Sequence, residues 1–76
     1  MNEAPRYTMV IHWSDEDDAY LVSLPDWDGI VMNPSTHGDT YAEAVRNGEE
    51  VLEMLIASMK EDGEPLPAPK PVLTAA

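Results

Sequence analysis

Apolar and polar residues alternate strictly in RYTMVIHW. Tyr7, Met9, Ile11 and Trp13 fall on one side of an extended chain, and Thr8, Val10 and His12 on the other. The β-branched and aromatic content suits a half-buried strand. SDEDDA interrupts the pattern with polar turn formers. AYLVSLP then resumes it, with Tyr20, Val22 and Leu24 on one face and Leu21 and Ser23 on the other. Pro25 ends this second strand because it lacks a ladder donor. Two strands joined by a short polar loop predict an antiparallel hairpin. DWDG follows as a tight turn. IVMNPSTH predicts a shorter third strand at Ile30 to Met32, with Asn33-Pro34 marking a turn or bulge.

The period changes to that of a helix in GDTYAEAVRNGEEVLEMLIASMKEDG, residues 38–63. Tyr41, Ala44, Val45, Gly48, Val51, Leu52, Leu55, Ile56 and Met59 fall on one side, while acids dominate the other. Thr40 and Glu43 form a T-x-x-E capping box, in which the Thr40 hydroxyl accepts from a first-turn amide and Glu43 returns to the cap amide. Asp39 adds negative charge at the positive end of the helix dipole. Gly38, Asp39, Thr40 and Glu43 therefore read as a helix start, with structural rather than catalytic roles. Gly48, mid-stripe, costs about 1 kcal/mol relative to Ala; such a glycine admits a close neighbour, and Trp13 or Tyr20 is the expected one. Gly63 is a natural stop. At ~1.5 Å per residue the helix outruns strands of this length, so its carboxyl end should overhang the sheet.

Prolines at 65, 67, 69 and 71 predict an extended tail over residues 63–76. A short fourth strand at Val72 to Thr74 would return by a right-handed crossover to lie parallel to the first, giving the order 3-2-1-4. The expected class is α+β: a three-stranded antiparallel meander, one long amphipathic helix packed on it, and a short fourth strand, in a single domain over residues 1–76.

Composition sharpens this picture. A chain of 76 residues buries only about 60–65% of its unfolded surface, and such scaffolds usually need a disulfide, a metal or a partner subunit. There is no cysteine, which removes disulfides, thiolate zinc sites and cysteine nucleophiles. Association is the remaining support. Val10, Leu21 and Trp27 on the sheet's other face would form an apolar patch if left in water, so a homodimer or higher even oligomer is expected. The formal charge of −11 disfavours direct binding of this chain to DNA or RNA backbones, and favours a basic partner. No apolar run spans a membrane and MNEAPRY lacks the features of a signal peptide, so the expected compartment is the cytoplasm, away from membranes.

Candidate chemistry is sparse. The run Asp15, Glu16, Asp17 and Asp18 invites a divalent cation, but consecutive side chains point apart and the EF-hand pattern is missing. His12 and His37 lack metal-site spacing, no serine sits in G-x-S-x-G, and no Gly-rich nucleotide loop occurs. Neither a catalytic centre nor a cofactor is expected. PDWDG is the best binding candidate. Trp27 between Asp26 and Asp28 resembles an interface anchor ringed by charge, and a desolvated ring outweighs surface ion pairs worth only ~0–1 kcal/mol. The alternative is that Trp27 folds back onto the sheet edge. The hairpin acids Asp15 to Asp18 and the helix acids Glu49, Glu50 and Glu53 are competing contact surfaces.

The ordered set Y-x-M-V-I-H-W-S-D-E-D-D-A-Y-L-V-S-L-P, then H-G-D-T-Y-A-E-A, then a helix ending near G-E-P-L-P-A-P, resembles the HicB-type antitoxin family from about Tyr7 to Pro69. The resemblance implies a partial RNase H-like fold, β-β-β-α-β, that has lost its nuclease centre. It also implies a non-enzymatic antitoxin of a type II toxin–antitoxin system, binding a HicA-type toxin, a small basic mRNA-cleaving ribonuclease, and covering its active site. Many family members continue into a DNA-binding ribbon-helix-helix or helix-turn-helix segment; this sequence stops at Ala76, and its few bases do not supply that function. Two other readings stay open. One is a metal-dependent RNase H-like nuclease using Asp15, Asp17, Asp18 and Glu43. The other is an acidic oligomerisation module with a different basic partner.

Overall fold

A computed structural model describes residues 6–69 of the chain. Strand β1 (Val10–Ser14) pairs antiparallel with β2 (Ala19–Ser23), and β2 pairs antiparallel with β3 (Thr36–Gly38), giving the order β1-β2-β3. A single long helix, α1 (Tyr41–Glu61), follows. The alternation of the first two strands is realised as expected. Val22 and Leu24 are fully buried and Met9 and Ile11 pack on the same core, while Val10 and His12 are exposed. Pairing runs from Val10 opposite Ser23 to Ser14 opposite Ala19, which leaves four residues to make the turn. Asp18 takes a positive φ of 53° there, a conformation that Asp tolerates better than most residues.

The third strand departs from expectation. It lies at Thr36–Gly38, not at Ile30 to Met32. The reason lies in the side chain of Asn33. Its Oδ1 accepts from the Leu24 amide (2.9 Å) and its Nδ2 donates to the Leu24 carbonyl (3.3 Å). A carboxamide thus occupies the backbone groups that a strand at residues 30–32 would have used. Ile30 and Val31 instead donate their amides to the Trp27 carbonyl at 2.9 and 3.0 Å. Ile30 and Met32 are left 52% and 86% exposed. Regular pairing with β2 begins only after Ser35, whose amide donates to the Val22 carbonyl at 2.8 Å.

Helix α1 starts and stops where its sequence says. The Thr40 hydroxyl accepts from the Glu43 amide at 3.0 Å, and the Glu43 carboxylate accepts from the amide of Asp39 at 2.8 Å. The return arm therefore reaches one residue earlier than the expected cap amide. At the far end Gly63 has φ +72°. The Glu64 amide donates to the Met59 carbonyl (2.9 Å) and the Gly63 amide to that of Lys60 (3.1 Å), the paired bonds of a Schellman stop. Ala44, Gly48, Leu52 and Ile56, spaced by one turn, form the buried line. Tyr41 and Val45, also in the expected apolar stripe, stay 63% and 41% exposed. Beyond α1 the tail folds back: the Tyr7 hydroxyl donates to the Pro67 carbonyl at 2.7 Å, and Leu66 packs on the core. The expected fourth strand at Val72 to Thr74 lies outside the described residues.

Two glycines set how closely the helix approaches the sheet, for different reasons. A Cβ on Gly48 would meet the Met9 thioether, with Sδ at 2.7 Å and Cε at 3.0 Å, and Val22 Cγ1 at 3.1 Å. The neighbour is thus a flexible methionine and a valine, not the expected ring of Trp13 or Tyr20. A Cβ on Gly38 would lie 2.5 Å from the Ala44 nitrogen, 2.8 Å from its Cα and 2.9 Å from the Glu43 carbonyl carbon. Those atoms are helix backbone and cannot step aside singly. We therefore expect Gly38→Ala to destabilise by at least about 2 kcal/mol. Gly48→Ala should stay within about 1 kcal/mol of the parent, as gained helix propensity offsets the displacement of Met9. Urea unfolding of both variants checks this, and equal losses would contradict the distinction.

Candidate functional site

The turn that carries Trp27 is a 3-10 segment, Pro25–Trp27, opened by the proline and closed by a bond from the Trp27 amide to the Leu24 carbonyl at 3.0 Å. It points inward. Trp27 is 0% exposed and Asp26 only 4%. The Tyr7 ring lies 5.3 Å from that of Trp27, tilted by 60°, and Asp26 Oδ2 accepts from the Thr8 amide at 2.8 Å. The segment leading into β1 therefore covers the turn. The expectation that Trp27, with Asp26, anchors a partner at the surface is corrected by this burial; of the three residues only Asp28 is exposed. Trp27 is also absent from the sheet's outer face, where it had been expected beside Val10 and Leu21.

Magnitudes explain the outcome. A buried Trp removes about 150–250 Å² from water, or roughly 4–6 kcal/mol at ~25 cal/mol per Å². Against that, Trp27 Nε1 has no hydrogen-bond partner among the described residues, at a cost of about 1–3 kcal/mol. In a chain with no Phe and only two Trp residues, burial wins.

The hairpin acids behave differently. Asp15, Glu16, Asp17 and Asp18 are all exposed. Asp15 Oδ1 accepts from Trp13 Nε1 at 2.8 Å. The Ser14 hydroxyl donates to Asp17 Oδ2 at 3.0 Å and accepts from the Asp17 amide at 3.2 Å. These bonds brace the turn against the end of β1. Among the described residues no three His, Cys, Asp or Glu side chains converge as a metal-holding group, and Glu43 is spent on the capping box. The four acids of the nuclease reading thus do not assemble into a cation site. Glu49, Glu50 and Glu53 are exposed along α1.

Two further surfaces come into view. On the outer face of the sheet, His12 stands opposite Leu21 and Leu21 opposite His37. An open concavity of about 460 Å³ runs beside them, lined by Asp17, Leu21, Pro34 and His37 among others. On the inner face, past the first turn of α1, aromatic rings form a row. Trp13 and Tyr20 meet edge to face, with centroids 5.0 Å apart; Tyr20 and Tyr41 lie at 4.3 Å. The Trp13–Tyr20 pair follows from a four-residue hairpin turn and was legible in principle. The addition of Tyr41 was not, because it depends on where the helix lands.

A family model described as "HicB_like antitoxin of bacterial toxin-antitoxin system" matches residues 7–76. No curated protein and no solved structure matches the chain. No helix among the described residues is long and apolar enough to cross a membrane.

Burial of Trp27 yields a direct test. Trp27→Ala should cost about 3–5 kcal/mol of stability, a large share of the roughly 4–11 kcal/mol available to a domain of this size. Thermal melting should show a variant that is largely unfolded or melts far below the parent. A Trp27→Ala protein that melts like the parent would put the ring back at the surface.

Proposed function

The chain belongs to the HicB-like antitoxin family, and on that premise we propose that it binds a HicA-type toxin, a small basic mRNA-cleaving ribonuclease, and neutralises it by covering its active site. The family match over residues 7–76 carries this reading. The formal charge of −11 supports it, because an acidic surface attracts a protein that itself binds RNA. In this reading the chain is a single non-enzymatic domain. Its sheet and helix are the remnant of a β-β-β-α-β RNase H-like arrangement, and it works in the cytoplasm, where mRNA is cleaved. The contact surface includes the exposed hairpin acids Asp15, Glu16, Asp17 and Asp18; Asp28 lies beyond the opposite end of β2.

Charge at the hairpin acts mainly on encounter. Exposed ion pairs contribute little to a formed complex, but like-signed carboxylates at one end of the molecule steer a basic partner and accelerate association. Self-association is assigned to the outer face of the sheet, where Val10 is 45% exposed beside a partly buried Leu21. Covering that patch gives a homodimer or higher even oligomer.

Co-expression with a HicA-type toxin from a neighbouring reading frame should relieve growth arrest and give a complex on a sizing column; persistent arrest with no complex would sink the proposal. The combined Glu16→Gln/Asp17→Asn/Asp18→Asn variant, which leaves Asp15 in place, should associate roughly tenfold more slowly at low salt, with a flatter salt dependence and a nearly unchanged dissociation rate. RNA cleavage by the chain alone in Mg²⁺, lost in Asp17→Asn, would favour the nuclease reading instead. Light scattering of the chain alone at tens of micromolar checks the oligomer, and a monomer there contradicts it.

A further inference from the structure

We propose that the row Trp13, Tyr20 and Tyr41 is the docking platform for an arginine side chain of the basic toxin. This rests on the antitoxin reading and adds the contact that holds the complex together once charge has steered it in.

The platform is built, not incidental. Trp13 and Tyr20 are cross-strand partners, and Tyr20 stands opposite Gly38. The contact of Gly38 with the backbone of Ala44 sets the first turn of α1 beside β2, which carries the Tyr41 ring to 4.3 Å from that of Tyr20. Trp13 remains 45% exposed and Tyr41 63%, while the other tryptophan is wholly buried. Val45, one turn further along α1 and 41% exposed, extends the apolar surface. Rings held by their neighbours, edge to face and tilted, lose little freedom on binding, which is what a hot spot requires.

Its rim selects the occupant. Asp15 is fixed at the edge of the Trp13 indole by the 2.8 Å bond from Nε1. Glu49, one turn beyond Val45, is exposed at the other end. An apolar partner would have to bury the Asp15 carboxylate without a counter-charge, which is costly. A second copy of this chain, related by a two-fold axis, would bring the same acids against each other. A nucleic acid meets a chain of formal charge −11. A guanidinium suits every part: its plane stacks on ring faces, which attract cations, and its fork donates to the carboxylate at the rim. Lysine is the poorer fit, being a strongly hydrated point charge.

The test titrates the chain with an inactivated HicA-type toxin while following binding rates and the two indole N–H signals in NMR spectra. Tyr41→Lys places a like charge on an exposed position at the helix start, and Tyr41→Ala removes the ring. Tyr41→Lys should weaken the complex by about thirtyfold or more, mainly through faster dissociation, with melting close to the parent. The Trp13 indole signal should shift on binding and that of Trp27 should not. If folded Tyr41→Lys and Trp13→Ala both bind like the parent, the platform is overturned and the antitoxin reading stands. If the parent forms no complex, both fall. If Tyr41→Lys dissociates an oligomer of the chain alone, the row is a self-interface and the arginine assignment is overturned.

Discussion

The approach of Gly38 to the backbone of Ala44 is the contact on which the other geometry depends. A side chain at Gly38 would sit 2.5 Å from the Ala44 nitrogen, so the helix rests on β3 backbone to backbone at its first turn. Everything further along α1 inherits that height and angle. The buried line Ala44, Gly48, Leu52 and Ile56 reaches Met9, Val22 and Leu24 because the helix begins so close. The same contact leaves Tyr41 over the sheet margin beside Tyr20, not over the core. One missing methyl group thereby sets both the packing and the exposed aromatic surface. Backbone atoms have no rotamers through which to relieve a clash, whereas Met9 beneath Gly48 does.

The two tryptophans show how position divides similar side chains between core and surface. Trp27 sits in a turn that a sequence reader assigns to the surface, yet it fills the core beneath Tyr7. Trp13 sits on the apolar face of a strand, which ordinarily means burial, yet it lies near the hairpin end, beyond the helix, and stays half open. A small domain has room for one such ring. The turn places Trp27 nearer the centre, and the gain from its burial outweighs the unbonded indole N–H. The ring left outside is the one beside the acidic turn, so the apolar and anionic features of the surface adjoin.

That adjacency separates two jobs. The exposed carboxylates of Asp15 to Asp18 act over a distance of about a Debye length, ~8–10 Å, and govern how quickly a basic partner arrives. Rings act only in contact and govern how long it stays. A surface made of acid alone would meet basic partners quickly and lose them quickly; rings without acid would not discriminate among them. Local bonds from Trp13 to Asp15 and from Ser14 to Asp17 hold both features in one hairpin end.

The strands β1 and β2, their hairpin, the capping box at Thr40 and Glu43, and the stop at Gly63 were all determined by the sequence, because each rests on periodicity or on bonds between residues a few positions apart. Family membership was also legible, through ordered local motifs from Tyr7 to Pro69. The third strand was not, because β-branched residues at Ile30 and Val31 argued for it while Asn33, two positions later, claimed the Leu24 backbone that such a strand needed. The burial of Trp27, the neighbour of Gly48 and the meeting of Tyr20 with Tyr41 were decided only by the tertiary structure. Each joins segments well apart in the chain, and local pattern contains no measure of the space that remains when a helix and a sheet close on each other.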